Sequence, residues 1–292
     1  MINATPIPAD GPEILCGHRV LEDEQRPPFG PDALDAVTAD ALRRFLDRNR
    51  DRPVAALTGL SRRIDPAALI LTFDDGFADF PRTVLPILEE YEAPATLFVT
   101  TGFVDGRRVP YERLLAGFLL MAPERIVLDG HEVVFENMAA RAAAYERLRL
   151  SVKKASERAR RRLVNRVAAA CGLQLDDVPV PAPLTTEDIR RLAAHDLVSL
   201  GAHSIGHGAL DSMLPLAAWS EISGSRRALE AMSGQAVDAF AYPYGAHTAL
   251  VRRLVASAGF RLALGTEPRR VRPADVRRPW CIPRRDLAGI VS

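Results

Sequence analysis

The sequence predicts an α/β fold in which parallel strands alternate with helices. Short apolar runs such as residues 67–73 lack polar alternation, which is typical of strands buried on both faces. Such runs are followed by segments with helical periodicity, for example residues 81–91. Strands that alternate with helices form a parallel sheet, and the pattern fits either an open sheet or a closed barrel.

The composition is that of an ordinary soluble globular protein, with 48% hydrophobic and 26% charged residues among 292. The net charge of +1 gives no bulk attraction to nucleic acid or to an anionic membrane, so neither is expected as a partner. No apolar stretch reaches the roughly 18 residues of a membrane span, and residues 1–15 lack the features of a secretory signal. We therefore expect a cytoplasmic protein whose cysteines, Cys16, Cys171 and Cys281, are free thiols.

The predicted elements follow one another in order along the chain. The first half contains a strand at 13–20, a helix at 38–49 capped by Thr38, a strand at 67–73, a helix at 81–91 and a strand at 94–101. The second half contains a strand at 196–203, a helix at 220–232, a strand at 237–243, a helix at 249–259 and final strands within 260–266 and 277–287.

Residues 103–183 interrupt this alternation. Residues 125–135 predict a β-hairpin that turns at Asp129-Gly130, a pair that suits a type I′ turn. Residues 138–170 are rich in Ala, Arg and Leu and predict helix throughout, and the arginines of 158–162 are expected on a solvated face. We therefore predict a core domain of residues 1–102 and 184–292, with 103–183 as an insertion that packs on it and shapes the rim of the site.

Two adjacent acids, Asp74 and Asp75, stand where the strand at 67–73 ends. Function in parallel α/β folds is placed at the carboxyl ends of the strands. Successive side chains of a regular strand point to opposite faces, but Gly76 allows the chain to leave the extended conformation here. For an isolated Asp-Asp-Gly, a simple turn or helix cap is the favoured interpretation.

The second group is His203 and His207, which follow another apolar strand. In a helical turn, a spacing of four residues puts both imidazoles on one side, within reach of one cation. Two histidines and one carboxylate leave metal positions open for water and substrate. One aspartate could then bind the metal, while the other, still ionised, takes a proton from water.

The third group is the sequence FAYPYG at residues 240–245. Pro243 fixes a turn after the strand, and Gly245 permits a tight exit. A backbone N–H in such a turn can stabilise an oxyanion.

Together, TFDDG, HSIGH and FAYPYG resemble the motifs of the polysaccharide deacetylase family, carbohydrate esterase family 4, with its NodB homology domain. The resemblance runs from about residue 13 to 290, without the insertion. It implies a distorted (β/α)7 barrel with Asp74 as the general base. Asp75, His203 and His207 would hold a divalent metal, expected to be Zn²⁺, with Co²⁺, Ni²⁺ or Fe²⁺ as alternatives.

The resemblance also implies that the backbone N–H of Tyr244 holds the oxyanion, and Pro243 is a candidate substrate contact. This sequence departs from the family pattern at Ala241, where the family has an arginine that braces the base. Our hypothesis is that Arg284 supplies the missing guanidinium.

The family's late histidine, which acts as the general acid, is missing as well. His247 or His18 is a candidate replacement, and His18 lies in a Gly-His-Arg stretch similar to the family's early Tyr-His-Arg, where it is also a candidate substrate contact. His131 and His195 are interpreted as structural.

These residues predict a metal-dependent hydrolase that removes an N-acetyl or N-formyl group from an amino sugar. The missing export signal favours an intracellular sugar linked to a nucleotide, a lipid or a small-molecule product. The alternatives are an amidohydrolase that acts on a non-carbohydrate amide, a catalytically impaired sugar-binding relative, and a non-haem iron oxygenase with the same ligand set.

Overall fold

The computed structural model describes residues 11–22, 26–61 and 65–291. The predicted absence of a secretory signal therefore concerns a segment that lies mostly outside the described residues. The strands are β1 (Glu13–Gly17), β2 (Val20–Leu21), β3 (Val37–Thr38), β4 (Leu69–Phe73), β5 (Ala95–Val99), β6 (Arg125–Leu128), β7 (His131–Val134), β8 (Val198–Ala202), β9 (Ala239–Ala241), β10 (Leu262–Leu264) and β11 (Arg285–Asp286).

The α-helices are α1 (Pro31–Asp35), α2 (Ala39–Arg48), α3 (Leu85–Glu90), α4 (Tyr111–Met121), α5 (Met138–Lys154), α6 (Glu157–Cys171), α7 (Thr186–Ala193), α8 (Pro215–Ser233), α9 (Ala249–Ser257), α10 (Pro273–Arg277) and α11 (Ala288–Val291). The predicted cap of α2 is present, because the Thr38 side chain accepts a hydrogen bond from the Ala41 N–H. Helix α8 begins five residues before the predicted start, with Pro215 in its first turn.

Seven strands form one curled parallel sheet in the order β10-β9-β8-β5-β4-β1-β11. The predicted α/β class is confirmed, and the curled sheet with its surrounding helices is that of a NodB-like (β/α)7 barrel. All the strands point the same way, so their carboxyl ends share one rim of the sheet.

Strand β4 shows why the apolar run has no polar alternation. Leu69, Leu71 and Phe73 pack outward into the main core between sheet and helices. Ile70 faces inward, where it joins Phe98 in a second cluster that fills the barrel. Both faces of the strand are therefore buried, as the sequence predicted.

The segment 103–183 builds a third apolar cluster from α4, α5, α6 and the hairpin of β6 and β7. The hairpin turns at Asp129-Gly130, both with positive φ, as predicted. The prediction of one continuous helix over 138–170 is wrong. Ala155 is extended, and the Ser156 side chain caps the start of α6, so the chain breaks into two helices.

No helix in the described ranges is long and apolar enough to cross a membrane.

Candidate active site at the carboxyl ends of the strands

A cavity of about 310 Å³ opens at the carboxyl-terminal rim of the sheet. The three predicted groups meet there, each placed by a different strand end. Asp74 and Asp75 follow β4, His203 and His207 follow β8, and Tyr244 follows β9.

The backbone after β4 explains how two adjacent aspartates serve one site. Asp75 has a φ of 76° and Gly76 a φ of 85°, so the strand geometry ends abruptly after Asp74. A left-handed conformation is unusual for aspartate and is more readily adopted by glycine. Because the chain turns here, both carboxylates point into the cavity instead of to opposite faces of the sheet.

The two histidines lie in a loop and not in a helical turn, so the helical explanation of their spacing is wrong. Ser204 and His207 both have left-handed backbone, with φ of 62° and 53°. The Glu221 carboxylate of α8 holds this loop by accepting hydrogen bonds from the N–H groups of Ile205 and Gly206, at 2.9 and 2.7 Å. The imidazole rings of His203 and His207 nevertheless lie with their centroids only 5.0 Å apart.

Asp75, His203 and His207 fit a divalent metal. One ligand atom of each lies within 4.8 Å of the others, and Oδ1 of Asp75 is buried with no hydrogen-bond donor among the described residues. Nδ1 of His203 donates to the Ala241 carbonyl at 2.8 Å, which leaves Nε2 with its lone pair toward the carboxylates. Burial lowers the pKa of His203 and lowers the pKa of His207 to about 3, so both rings are neutral, as metal ligands must be.

Asp74 is held by Arg284, as the hypothesis requires. Both side chains are fully buried, and two N–H···O contacts of 2.7 Å join the guanidinium to the two carboxylate oxygens. Arg284 also donates to the Thr72 hydroxyl and to the Gly265 carbonyl. Burial by itself would raise the pKa of Asp74, but the Arg284 charge outweighs burial and holds this pKa well below its usual range.

Asp75 has a guanidinium partner of its own, Arg113 of α4, with Nη2 of Arg113 at 3.2 Å from Oδ2 of Asp75. Arg113 also pairs with Asp32, so it bridges the candidate metal site to α1. Burial opposes ionisation of Asp75, but its electrostatic interactions with His207 and Arg113 lower its pKa overall.

The two candidate acids differ in position. His18 lines the cavity, its Nδ1 is buried without a described partner, and one ring nitrogen lies within 4.8 Å of an Asp74 oxygen. His247 does not line the cavity: it packs against Tyr242, which does, and its Nε2 lies 2.9 Å from the Cys281 sulfur. The structure therefore brings His18 to the site and leaves His247 outside it.

Pro243 is buried in the first turn after β9, where it positions Tyr244 instead of lining the cavity itself. Tyr244 has a φ of 59°, and its ring contacts that of His207 edge to face at 4.7 Å.

Sequence reasoning expected the segment 103–183 at the rim of the site but named none of its residues as part of the site. Glu112, Arg113 and Arg160 all line the cavity. Arg160 is only 3% exposed and donates to the Gly206 carbonyl at 2.7 Å, so the expected solvated face is wrong for this arginine, although Arg158 and Arg161 are exposed. No local pattern marks these residues, because their partners lie far away in the sequence.

Comparison with known proteins gives a family for this fold and site. The family model for polysaccharide deacetylases matches residues 62–263, which is more than half of the chain. The chain belongs to the polysaccharide deacetylase family. No curated protein matches it closely enough to be counted as a relative.

Several solved structures share the fold. IcaB from Ammonifex degensii is 18% identical, with 98% of this chain and 99% of that chain covered and a TM-score of 0.61. The deacetylase PplD from Streptococcus pyogenes, in complex with acetate, is 18% identical over 96% and 92% of the two chains, also with a TM-score of 0.61. A de-N-acetylase from Aggregatibacter actinomycetemcomitans is 14% identical over 94% of each chain, with a TM-score of 0.60. At these identities the likeness establishes the fold.

Proposed function

We propose that this protein is a zinc-dependent hydrolase that removes the N-acetyl or N-formyl group from an amino sugar. The observation that carries the proposal is the cluster of Asp75, His203 and His207, with Asp74 beside it but bound to Arg284. Asp75 provides an anionic ligand and the two histidines provide neutral ligands for one cation. Asp74 stays free of that cation and is available for proton transfer.

When bound, a divalent cation supplies Lewis acidity, which lowers the pKa of water toward about 7 and polarises the substrate carbonyl. Asp74 is ionised and oriented by Arg284, so it can accept the proton of the water that attacks the amide carbon. In this proposal the Tyr244 backbone N–H donates to the developing oxyanion. The carbon–nitrogen bond then breaks, and we assign the protonation of the departing amine to His18, which lines the cavity.

The proposal also names a substrate class and a location. An N-acylated amino sugar fits the family, and structural neighbours include proteins described as deacetylases of polysaccharides. We propose a sugar linked to a nucleotide, a lipid or a small-molecule product inside the cell, as the sequence analysis predicted. Cytoplasmic location belongs to the same proposal.

The buried Arg284–Asp74 pair favours an active enzyme over an impaired sugar-binding relative. A protein that only binds sugar does not need an ionised carboxylate in a site shielded from water. Burying that charge is costly unless a partner such as Arg284 compensates for it.

A release assay tests the proposal. Purified zinc-loaded protein is incubated with nucleotide-linked, lipid-linked and free N-acetylhexosamines and with simple formamides, and acetate and formate are measured. We expect acyl release from an amino sugar that stops with Asp74→Asn or with a chelator. Release from simple amides alone supports the non-carbohydrate amidohydrolase, and an absence of release with intact sugar binding supports the binding protein.

A further inference from the structure

Arg113 of α4 takes part in a network of ion pairs beside the candidate metal site. Its Nη2 lies 3.2 Å from Oδ2 of Asp75, and its Nη1 pairs with Oδ1 of Asp32 in α1. The Arg113 side chain is only 8% exposed, and its guanidinium carbon lies 4.8 Å from the centroid of the Phe77 ring, over that ring. A planar guanidinium that is held by two carboxylates and an aromatic ring has a fixed orientation.

The network closes on itself. Oδ2 of Asp32 accepts a hydrogen bond from Nη1 of Arg19 at 3.0 Å, and Nε of Arg19 lies 3.4 Å from Oδ1 of Asp79. Oδ2 of Asp79 accepts from the Val20 N–H at 2.9 Å. Asp79 and Asp75 lie on the same segment after β4, so the network returns to the segment from which it started.

The two oxygens of Asp75 are not equivalent in this network. Five of the six carboxylate oxygens of its three aspartates accept a hydrogen bond within it, and the sixth is Oδ1 of Asp75. That oxygen is buried without a donor in the part of the chain that the structure describes. It faces Nε2 of both histidines, at 3.3 Å for His207 and 3.9 Å for His203. One oxygen of Asp75 is therefore committed to Arg113, and the other is open to a cation.

We propose, on the basis of the function proposed above, that Arg113 is a positioning residue that makes Asp75 a metal ligand through Oδ1 alone. A carboxylate that is free to rotate can bind a cation through one oxygen or through both. Because Arg113 holds Oδ2, Oδ1 stays turned toward the two imidazoles, and Asp75 fills only one coordination position. Other positions then remain open for water and substrate. The segment 103–183 thus acts on a metal site whose ligands all lie outside it.

Arg113→Lys is the decisive variant, because it keeps the positive charge. A lysine ends in a single rotating ammonium group, which cannot hold two carboxylates in fixed orientations. Loss of the charge would confuse the result, since a less positive site attracts a cation more strongly. Arg141→Lys is the matched control. Arg141 of α5 also bridges two acceptors, the Leu119 and Ala122 carbonyls, but it does not line the cavity.

The first readout is the zinc dissociation constant, measured by competition with a chromogenic chelator. We expect Arg113→Lys to weaken zinc binding roughly 10–100-fold and Arg141→Lys to leave it unchanged. The visible spectrum of the Co²⁺ form, which reports the coordination of the cation, is expected to change in Arg113→Lys only. A folded Arg113→Lys with the zinc affinity and the Co²⁺ spectrum of the wild type overturns the inference.

The second readout is the crystal structure of the wild type grown with zinc. We expect Oδ1 of Asp75 within about 2.2 Å of the cation and Oδ2 still bound to Arg113. Coordination through Oδ2, or through both oxygens, contradicts the role of Arg113. If Arg113→Lys fails to fold, Asp32→Asn decides, because it removes the other anchor of the guanidinium without touching Asp75. A changed Co²⁺ spectrum in Asp32→Asn supports the inference, and an unchanged one contradicts it.

The outcomes separate the inference from the proposed function. A wild type that binds zinc through Oδ1 of Asp75, with Arg113→Lys impaired in zinc binding, supports the inference even if no acyl group is released. The absence of acyl release then overturns only the proposed function. A wild type that binds no zinc overturns both.

Discussion

Asp74 and Arg284 form the most completely buried charge pair at the site. Their side chains are 3% and 0% exposed, and the guanidinium contacts both carboxylate oxygens. The two parallel hydrogen bonds of the guanidinium orient the plane of the carboxylate and stabilise its charge. A lysine cannot make this paired contact. The two residues lie 210 positions apart, so the pair also ties the end of the chain to β4.

Removal of this guanidinium is expected to damage stability and activity together. Arg284→Ala leaves Asp74 charged and buried without its partner, which costs about 3–5 kcal/mol of unfolding free energy. We expect kcat to fall at least about 100-fold, because the base is then partly protonated and no longer oriented. Denaturant unfolding and kcat on the substrate found by acyl release measure both effects.

Arg285→Ala is the matched control for that variant. Arg285 is the next residue, and its ion pair with Glu13 is 42% exposed on the arginine side. A small effect on stability and kcat is expected there. Full activity in Arg284→Ala would show that Asp74 does not need Arg284 to be oriented and ionised.

The position of His18 leads to a prediction about the general acid. His18→Ala is expected to lower kcat by roughly 100-fold or more, since proton transfer to the amine then depends on water. His247→Ala is expected to have a smaller effect, because His247 lies behind Tyr242 and beside Cys281. A larger loss of kcat in His247→Ala than in His18→Ala would contradict this assignment.

At the scale of elements, the loop after β8 is held from two sides. The Glu221 carboxylate of α8 accepts hydrogen bonds from N–H groups of the loop. Arg160 of α6 donates to the Gly206 and His207 carbonyls at 2.7 and 3.4 Å. Left-handed conformations at Ser204 and His207 are kept only where the surroundings determine them. The loop therefore depends on a helix that belongs to the segment 103–183.

Arg160→Ala is expected to lower the unfolding free energy by about 1.5–3 kcal/mol, because the buried Gly206 carbonyl and the part-buried His207 carbonyl lose a charged donor. Zinc affinity is expected to fall with it, since the His207 backbone loses its support. Arg158→Ala, two residues away on the exposed face of α6, is the control and is expected within about 0.5 kcal/mol of the wild type. Denaturant unfolding of the metal-free proteins measures the difference, and equal stability of the two variants would contradict the bracing role.

Local pattern explains which parts of the fold and the site were predictable. Asp74, Asp75, His203 and His207 each follow an apolar strand, and parallel strands bring their ends together, so the sequence alone indicates one shared site. The left-handed turns at Asp75 and His207 leave no such signal. Arg113 and Arg160 contact partners far away in the sequence, and the break at Ala155 is marked only by a serine cap. The roles assigned to the site residues remain predictions.

At the scale of the whole molecule, the buried histidines couple folding to pH. Burial lowers the pKa of both imidazoles from their ordinary value of 6.5, to about 3 for His207. Below pH 6.5 the two imidazoles bind protons in the unfolded chain but stay neutral in the folded, metal-free chain. Stability is therefore fully present above about pH 6.5 and is lost as pH falls.

Metal-free protein is expected to lose stability between pH 7.5 and pH 5, by about 2 kcal/mol for His207 alone. His207→Gln is expected to flatten this pH dependence, and saturating zinc is expected to raise the melting temperature most near neutral pH, where protons compete least. Thermal unfolding across this pH range provides the measurement. A metal-free protein equally stable at pH 5 and pH 7.5 would show that these imidazoles are not buried and neutral.

The central claim is that one cation binds between Asp75, His203 and His207 while Asp74 stays on Arg284. Anomalous diffraction at the zinc edge, on crystals grown with zinc, locates that cation directly. We expect a single strong peak about 2.0–2.2 Å from Nε2 of both histidines and from an Asp75 oxygen. A peak bound by Asp74 in place of Asp75, or no peak between the two histidines, would contradict it.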